Sequence, residues 1–449
     1  MKFYIETYGC QMNVHDSERM AGLMEQAGYE CTSDEAEADV VVINTCSVRE
    51  RAEEKLYTRL GEIRHASARN GRAPIVAVGG CVAQQEAGAL LKRSNTIDVI
   101  VGTQSLKQLP ALIGQALADA DHAPARIDVN AYEDVSFPLG VARRLDPLKA
   151  YVTIIEGCNE FCSFCVVPYT RGHERMRPKR DIVNEVVQAA AEGHKEIQLL
   201  GQIVNHYQAP DDPACDFAAL IEAVHEVPGV ERIRFASPHP RHVPMRLIEA
   251  VRDLPKVCKH VHLPAQSGST RVLDAMRRRY SRESYLDLVA TLREMVPGIT
   301  LTTDIIVGFP GETDADFEQT LSLTKAVRYE SMFSFKYSPR PNTLALKRYA
   351  DDVSDAVKTS RIVALQALQK EIQLELHAAA VGSTVDVLVD SVSRRRDCEL
   401  SGRTMGNTVV SFAGPAQWLG ETIPVRVLGA GPYSLTGRAV ELDSIEREA

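Results

Sequence analysis

Hydrophobic positions along the chain fall into two alternating periods. Lys2–Thr7 alternates apolar with polar residues, as a strand with one buried face does, and Val40–Ile43 and Ile75–Val78 are short β-rich runs. Between them, Asp16–Gln26 and Glu50–Ile63 carry the three- and four-residue apolar spacing of helices. Strand and helix in alternation predict a parallel α/β domain over residues 1–120. Residues 121–148 lack a period and carry Pro124, Pro138 and Gly140, which predicts a linker. Over 149–376 the alternation resumes, with strands at Tyr151–Ile155, Glu196–Leu200, Arg232–Ala236, His260–Leu263, Thr300–Val307 and Met332–Tyr337. Helical spacings such as Asp181–Glu192, Leu247–Leu254, Arg282–Met295 and Ala315–Ala326 separate them. Right-handed βα units in series predict a partial (β/α)6 barrel with its chemistry at the carboxyl-end loops. A helical stretch at about Val353–Ala380 closes this segment. Beyond it, over 377–445, Thr384–Val389, Leu400, Thr408–Phe412, Thr422–Leu428 and Ser434–Val440 are β-rich and separated by Gly and Asn. They predict a small antiparallel β-barrel of the size OB-like folds use for oligonucleotides.

Composition narrows the class. A chain of 449 residues is too long for one small domain, and its 45% hydrophobic and 25% charged content is that of a soluble globular protein. The net charge of −9, from 51 basic and 60 acidic residues, argues against indiscriminate nucleic-acid binding but leaves room for a local basic face. No apolar run approaches the roughly 18 residues of a membrane helix, and Met1-Lys2-Phe3-Tyr4-Ile5 starts like a strand, not a signal peptide. A cytoplasmic protein with no membrane partner is expected. Ten cysteines in such a protein read as metal ligands or spare thiols.

Three of those cysteines organise the chain. Cys158, Cys162 and Cys165, in C-x3-C-x2-C spacing, sit on a loop that leaves the run Tyr151–Ile155. Thiolates suit iron, and three ligands on a [4Fe–4S] cluster leave one iron open to a small molecule. No nearby His completes a zinc site. The spacing, with aromatic Phe164 before the last cysteine, resembles the signature of radical S-adenosylmethionine enzymes. In those enzymes the open iron binds the amino and carboxylate groups of S-adenosylmethionine. Three more cysteines fall just past predicted strand ends: Cys10 after Tyr8-Gly9, Cys46 after Asn44-Thr45 and Cys81 after Gly79-Gly80. Carboxyl ends of parallel strands build ligand sites, so a second three-cysteine centre is expected there. The strand tips of the barrel segment, from Gly201-Gln202 to Gly311-Glu312, are polar or glycine-rich and together predict a pocket for a polar cofactor. Cys31, Cys215, Cys258 and Cys398, like His239, His242 and Trp418, have no motif around them and read as structural.

Tyr8-Gly9-Cys10-Gln11-Met12-Asn13, Asn44-Thr45-Cys46-Ser47-Val48-Arg49 and Gly79-Gly80-Cys81 resemble the amino-terminal signature of the radical S-adenosylmethionine methylthiotransferases. Gly157–Gly172 resembles their barrel signature, and the last seventy residues or so resemble their RNA-binding TRAM domain. Val166-Val167-Pro168-Tyr169 and Arg171-Gly172-His173-Glu174-Arg175 are most similar to one branch. That branch converts N(6)-isopentenyladenosine beside the tRNA anticodon, at position 37, into its 2-methylthio derivative. The resemblance implies two [4Fe–4S] clusters. Cys158, Cys162 and Cys165 would hold one, which cleaves S-adenosylmethionine to a 5′-deoxyadenosyl radical. Cys10, Cys46 and Cys81 would hold an auxiliary one that carries the sulfur, which another S-adenosylmethionine methylates. It further implies isopentenylated tRNA, recognised at the anticodon stem-loop, as partner to a monomer. A flavodoxin- or ferredoxin-like electron donor and a sulfur or iron–sulfur donor would serve the reaction.

Expected cofactor contacts are Phe164, Gln202, Asn205, Ser237, Gln266, Ser267, Asp304 and Glu312. Expected RNA contacts are Arg171, Arg175, Arg177, Lys179 and Arg180 behind the cluster loop, and Arg394, Arg395, Arg396 and Arg403 in the terminal barrel. Two departures stand out: Asn342 replaces a usual glycine, and Met176 replaces a usual serine. Asn tolerates a left-handed φ, so the loop at Asn342 is expected to keep its shape. Competing readings are sister branches that act on threonylcarbamoyladenosine or a ribosomal-protein aspartate, and a non-catalytic iron–sulfur RNA-binding or redox-sensing protein. The Val-Val-Pro-Tyr and Asn-Thr-Cys-Ser-Val-Arg wording disfavours the sister branches, and two open three-cysteine sites disfavour a sensor.

Overall fold

The computed structural model describes residues 1–47, 50–71, 73–118, 124–130, 140–393 and 399–440. Strands Glu30–Cys31, Lys2–Tyr8, Val40–Thr45, Ile75–Gly80, Val99–Val101 and Arg126–Asp128 lie in that spatial order in a six-stranded sheet. Every pairing in it is parallel. The helices Gln11–Gln26 and Leu109–Ala118 cover one face and Glu50–Asn70 the other, each burying its own apolar cluster. The edge strand Arg126–Asp128 falls inside the stretch read as a linker. With three residues and one aliphatic side chain it is too short to leave a periodic signal. Helix Gln11–Gln26 also begins earlier than its apolar spacing indicates, because its first turns bury Asn13, His15, Asp16, Glu18 and Arg19 against polar partners.

Six parallel strands of the central segment form two three-stranded sheets, Lys149–Thr153 with Glu196–Leu200 and Arg232–Phe235, and His260–His262 with Thr300–Val307 and Ser331–Lys336. A parallel bridge from Ile233 to Val257 joins them into the expected open arc. Its interior and the ring of helices around it share one large apolar core, including Val152, Leu199, Ile233, Leu301 and Ile305. The first strand is interrupted at Ile154, and Ile155–Glu156 pairs antiparallel with Arg175–Met176, folding the cysteine loop back over the strand tip. Helix Asp355–Ala379 packs along the last strand, where Gln369 Nε2 donates to the Tyr329 carbonyl at 2.8 Å.

Strands Thr384–Val392, Glu399–Arg403, Val409–Ala413, Leu435–Ala439 and Thr422–Ala430, in that order, close a barrel around Val387, Leu400, Val410, Phe412 and Val425. Four of its pairings are antiparallel; Val409–Ala413 and Leu435–Ala439 run parallel. This barrel sits on the amino-terminal ends of the central strands. Arg232, at the start of its strand, donates to the Arg403 carbonyl, and Arg234 donates to the Thr404 carbonyl at 2.8 Å. Thr300 Oγ1 donates to the Gly406 carbonyl at 2.6 Å, and Thr408 Oγ1 donates to Glu330 at 2.7 Å. Among the described residues no helix is long and apolar enough to cross a membrane.

Candidate active site

The central cysteine loop is shaped by one glycine. Gly157 has φ +81°, and a Cβ there would lie 2.1 Å from the His173 carbonyl oxygen, so only glycine fits. Cys158 N donates to the Gly172 carbonyl at 3.2 Å and Cys165 N to the Cys162 carbonyl at 3.0 Å, which holds the three thiols on one compact turn. Burial pushes the Cys158 thiol up to about 11 and Cys165 to about 12, so a metal has to displace their protons. Arg278, fully buried, donates to Cys162 Sγ at 3.3 Å and to the Pro264 carbonyl at 3.2 Å. A cavity of about 130 Å³ opens beside Cys162 and Cys165, between Phe161, Tyr169, Arg277 and Leu344. Among the described residues no three Cys, His, Asp or Glu side chains converge on a single metal ion. Each thiolate of a [4Fe–4S] cluster binds a different iron, so three thiols on one loop beside a cavity fit such a cluster.

In the amino-terminal sheet Tyr8, Thr45 and Gly80 are aligned across three adjacent strands. Cys46 and Cys81 follow immediately and Cys10 one residue later, so parallel register brings the three cysteines to the carboxyl ends of three neighbouring strands. Cys10 caps helix Gln11–Gln26, and Cys81 opens helix Cys81–Glu86. Gly80 has φ +90°, and a Cβ there would meet Asn44 Oδ1 at 2.2 Å. That amide is fixed in turn: Asn13 Nδ2 donates to Asn44 Oδ1 at 3.1 Å, and Asn44 Nδ2 donates to the Asn13 carbonyl at 2.7 Å. A hydrogen bond with Cys46 lowers the Cys10 thiol to about 6 against its burial. The donor set fits a second cluster.

The expected cofactor contacts divide. Gln202 Oε1 is buried without a hydrogen-bond partner, and Asp304 is partly open, with His262 Nε2 at 3.5 Å. Ser237 and Gln266 have left-handed φ at their strand tips, and Ser267 Oγ accepts from Ser269 N at 3.2 Å. Gln202, Ser237, Gln266 and Ser267 lie just past strand ends, and Asp304 lies within strand Thr300–Val307. Asn205 is different: its amide donates to the His239 and His242 carbonyls at 2.9 and 2.6 Å and accepts from His239 N at 2.8 Å, which uses it to lock one loop to the next. Glu312 is buried on Arg361 at 2.8 Å and accepts from Gly308 N at 2.9 Å, so it clamps helix Asp355–Ala379 to the barrel. Phe164 packs into a satellite core with Val272, Met276, Phe309, Tyr337 and Ala345.

The basic rim also divides. Arg171 and Arg177 are buried, on Asp16 at 2.5 Å and Glu185 at 2.7 Å, which takes them out of reach of phosphates. Arg175 donates to Gln104 Oε1 at 3.2 Å. Lys179, paired with Asp212 at 3.1 Å, and Arg180 stay at the surface. Arg403 is half-buried near Asp390 at 3.7 Å, and Arg394, Arg395 and Arg396 lie outside the described residues, as does Cys398. Asn342 has φ +66°, the left-handed backbone expected of it, and Met176 Sδ accepts from Gln208 N at 3.1 Å.

Residues without a motif also reach this site. Glu160, inside the cysteine loop, lies 2.7 Å from His242 Nε2 and 3.2 Å from Arg279; against burial, which raises it, these neighbours hold its carboxyl below the usual range. His239 Nε2 is buried without a partner beside Tyr280. Arg278 and Arg279 belong to the run Arg277-Arg278-Arg279, which looks like a solvated face; its one distinguishing signal is the aromatic Tyr280 that follows.

Comparison with known proteins agrees with this geometry. Residues 2–102 match a family described as the uncharacterized protein family UPF0004, residues 152–324 the radical SAM superfamily, and residues 378–440 the TRAM domain. The radical S-adenosylmethionine methyltransferase TsrM of Kitasatospora setae, solved with cobalamin and a [4Fe-4S] cluster, superposes with a TM-score of 0.54 at 15% identity. The match covers 89% of this chain and 80% of that one. The cobalamin-dependent radical enzyme OxsB gives a TM-score of 0.52 at 11% identity, over 83% of this chain and 62% of its own. These two likenesses are of fold. A partial barrel whose first strand runs into a three-cysteine loop, matched by the superfamily over residues 152–324, defines a radical S-adenosylmethionine enzyme. Two relatives named tRNA-2-methylthio-N(6)-dimethylallyladenosine synthase resolve the family. That of Thiobacillus denitrificans is 46% identical over 447 residues, covering 99% of each chain, and that of Thermoanaerobacter pseudethanolicus is 42% identical over 444 residues, covering 98% of this chain and 93% of its own. The chain belongs to the tRNA-2-methylthio-N(6)-dimethylallyladenosine synthases.

Proposed function

We propose that this chain methylthiolates C2 of N(6)-isopentenyladenosine at tRNA position 37, with Cys158, Cys162 and Cys165 holding one [4Fe–4S] cluster and Cys10, Cys46 and Cys81 a second. When bound, the clusters and S-adenosylmethionine supply radical hydrogen abstraction and sulfur transfer at a carbon–hydrogen bond too weakly acidic for any side-chain base. The protein binds, orients and excludes water. Gln202, Ser237, Gln266, Ser267 and Asp304 offer donors and acceptors to S-adenosylmethionine. Arg278 holds the Cys162 sulfur in place and lends it positive charge. The observation that supports this reading is the register Tyr8–Thr45–Gly80, which aligns the ends of the three strands that Cys10, Cys46 and Cys81 follow.

The segments 1–120, 149–376 and 377–445 act as sulfur-carrying, radical-generating and RNA-gripping units of a cytoplasmic monomer. Arg175, Lys179, Arg180, Arg394, Arg395, Arg396 and Arg403 offer positive charge to the anticodon stem-loop. A flavodoxin- or ferredoxin-like donor supplies electrons, and a sulfur or iron–sulfur donor restores the second cluster. The test is nucleoside mass spectrometry of tRNA from cells lacking this protein. The 2-methylthio derivative should vanish while N(6)-isopentenyladenosine accumulates; an unchanged nucleoside profile would overturn the reading.

A further inference from the structure

The three arginines Arg277-Arg278-Arg279 do not share one environment. Arg277 and Arg279 are exposed, with left-handed φ of +58° and +57°, while Arg278 between them is only 6% exposed. Its Nη1 donates to Cys162 Sγ at 3.3 Å, its Nη2 to the Pro264 carbonyl at 3.2 Å and its Nε to the Tyr280 hydroxyl at 3.1 Å. Tyr280 donates in turn to the Ala265 carbonyl at 2.9 Å. The cysteine loop is fastened to the same turn: Ser163 N donates to the Met276 carbonyl at 2.9 Å and Ser163 Oγ to the Ala275 carbonyl at 2.8 Å. Other buried arginines near the cysteine sites, Arg19, Arg171 and Arg177, each sit on a carboxylate. Among the described residues no carboxylate pairs with Arg278. A guanidinium stays charged, and a buried charge without an opposite one is costly. Of its three partners the carbonyl and the hydroxyl are neutral, whereas the Cys162 sulfur becomes anionic when it binds iron.

We infer that Arg278 is the counter-charge of the barrel cluster: its charge and its hydrogen bond to the Cys162 sulfur raise that cluster's reduction potential. This inference rests on the proposed assignment of Cys158, Cys162 and Cys165 as ligands. A positive charge in a low-dielectric site favours the state with one more electron, and a hydrogen bond to a ligand sulfur acts in the same direction. The electron comes from the flavodoxin- or ferredoxin-like donor, and no proton moves with it, because the guanidinium is protonated in both states. Arg278 touches a ligand sulfur and not the substrate, so it acts as a positioning residue.

The test uses full-length chain carrying Cys10→Ala, Cys46→Ala and Cys81→Ala, so that the barrel cluster alone remains, titrated by electron paramagnetic resonance under anaerobic conditions. Arg278→Met, of similar reach but with neither charge nor donor, should shift the midpoint negative by at least a tenfold change in the reduction equilibrium, about 59 mV for one electron. Arg278→Lys, which keeps the charge and loses the fork, should recover part of that shift. An unchanged midpoint in the Met variant overturns the inference, and so does a Lys variant that shifts as far as the Met variant. A Met variant that binds no iron also counts against it, since Arg278 would then support the loop and not tune a bound cluster. Absence of iron in the parent triple variant would instead defeat the ligand assignment.

Discussion

Arg19 Nη1 lies 2.9 Å from Glu156 Oε1, with both side chains nearly sealed from solvent. Arg19 belongs to the helix that starts at Cys10, and Glu156 lies two residues before Cys158, so one ion pair ties the supports of both cysteine sites together. A buried pair broken on one side leaves an uncompensated charge, and Glu156→Gln should cost about 3–5 kcal/mol in chemical denaturation. Replacing both partners by Met should cost less than either single change. A strictly additive double variant would show that the two residues do not act as a pair.

The two-cluster assignment sets an iron count. Anaerobically reconstituted protein should hold roughly eight iron atoms, and the triple replacement of Cys158, Cys162 and Cys165 by Ala should keep about half. Full iron content in that variant would remove these cysteines from the site.

The clusters also separate by function. Cys46→Ala removes one of three proposed ligands that follow the ends of three different strands, whereas the proposed barrel ligands come from one loop. With reductant, Cys46→Ala should still cleave S-adenosylmethionine to 5′-deoxyadenosine but form no 2-methylthio product on isopentenylated tRNA. Cys162→Ala should lose both activities. Product at near wild-type yield from Cys46→Ala would reduce the amino-terminal cysteines to scaffold.

Replacing Arg394, Arg395 and Arg396 by Ala should weaken tRNA binding and flatten the dependence of affinity on salt, because fewer counterions are released from phosphates. Binding measured across a salt series decides it, and an unchanged slope would mark the run as a solvated face.

His377 fixes the pH range of the seam between helix Asp355–Ala379 and the terminal barrel. Its Nε2 lies 3.1 Å from Glu330 and its Nδ1 2.6 Å from the Gly431 carbonyl. The hydrogen bond to Glu330 raises its pKa above the ordinary 6.5, so its stabilisation is complete below 6.5 and is lost as pH climbs through the folded value. Glu330 is held below its ordinary 4.5, against burial, by His377 and Thr408; its share is present above 4.5 and lost as pH falls through the folded value. Melting temperature should therefore peak between the two limits. His377→Gln should flatten the alkaline limb, and an unaltered profile would remove His377 from the seam.

Cysteine positions were legible in the sequence because spacing along one loop, and placement after three similar strand ends, survive any detail of packing. The strands of the central arc were legible for the same reason, since period and length announce them. What sequence could not distinguish is a polar side chain that meets a ligand from one that ties two loops. Asn205 and Glu312 sit at strand tips as ligand contacts do, yet each is saturated by protein groups from 34 and 49 residues away. Arg171 and Arg177 failed as surface charges because their carboxylate partners, Asp16 and Glu185, lie on helices whose packing no local pattern reveals. The polar first turns of helix Gln11–Gln26 are the mirror case: side chains that look solvated are the buried lining between two domains.

The seat of the terminal barrel sets a length. It touches the central strands where they begin, at Arg232, Thr300 and Glu330, while the cysteine loop rises where the first strand ends. The strand Thr300–Val307 has eight residues, which at about 3.3 Å each is roughly 26 Å. The terminal barrel and the cysteine loop thus stand at opposite ends of the central strands, and an RNA held at both would have to span that length. Under the proposed function such a protein would work as a caliper: a free nucleoside would reach one jaw only, and a folded anticodon arm would close the gap.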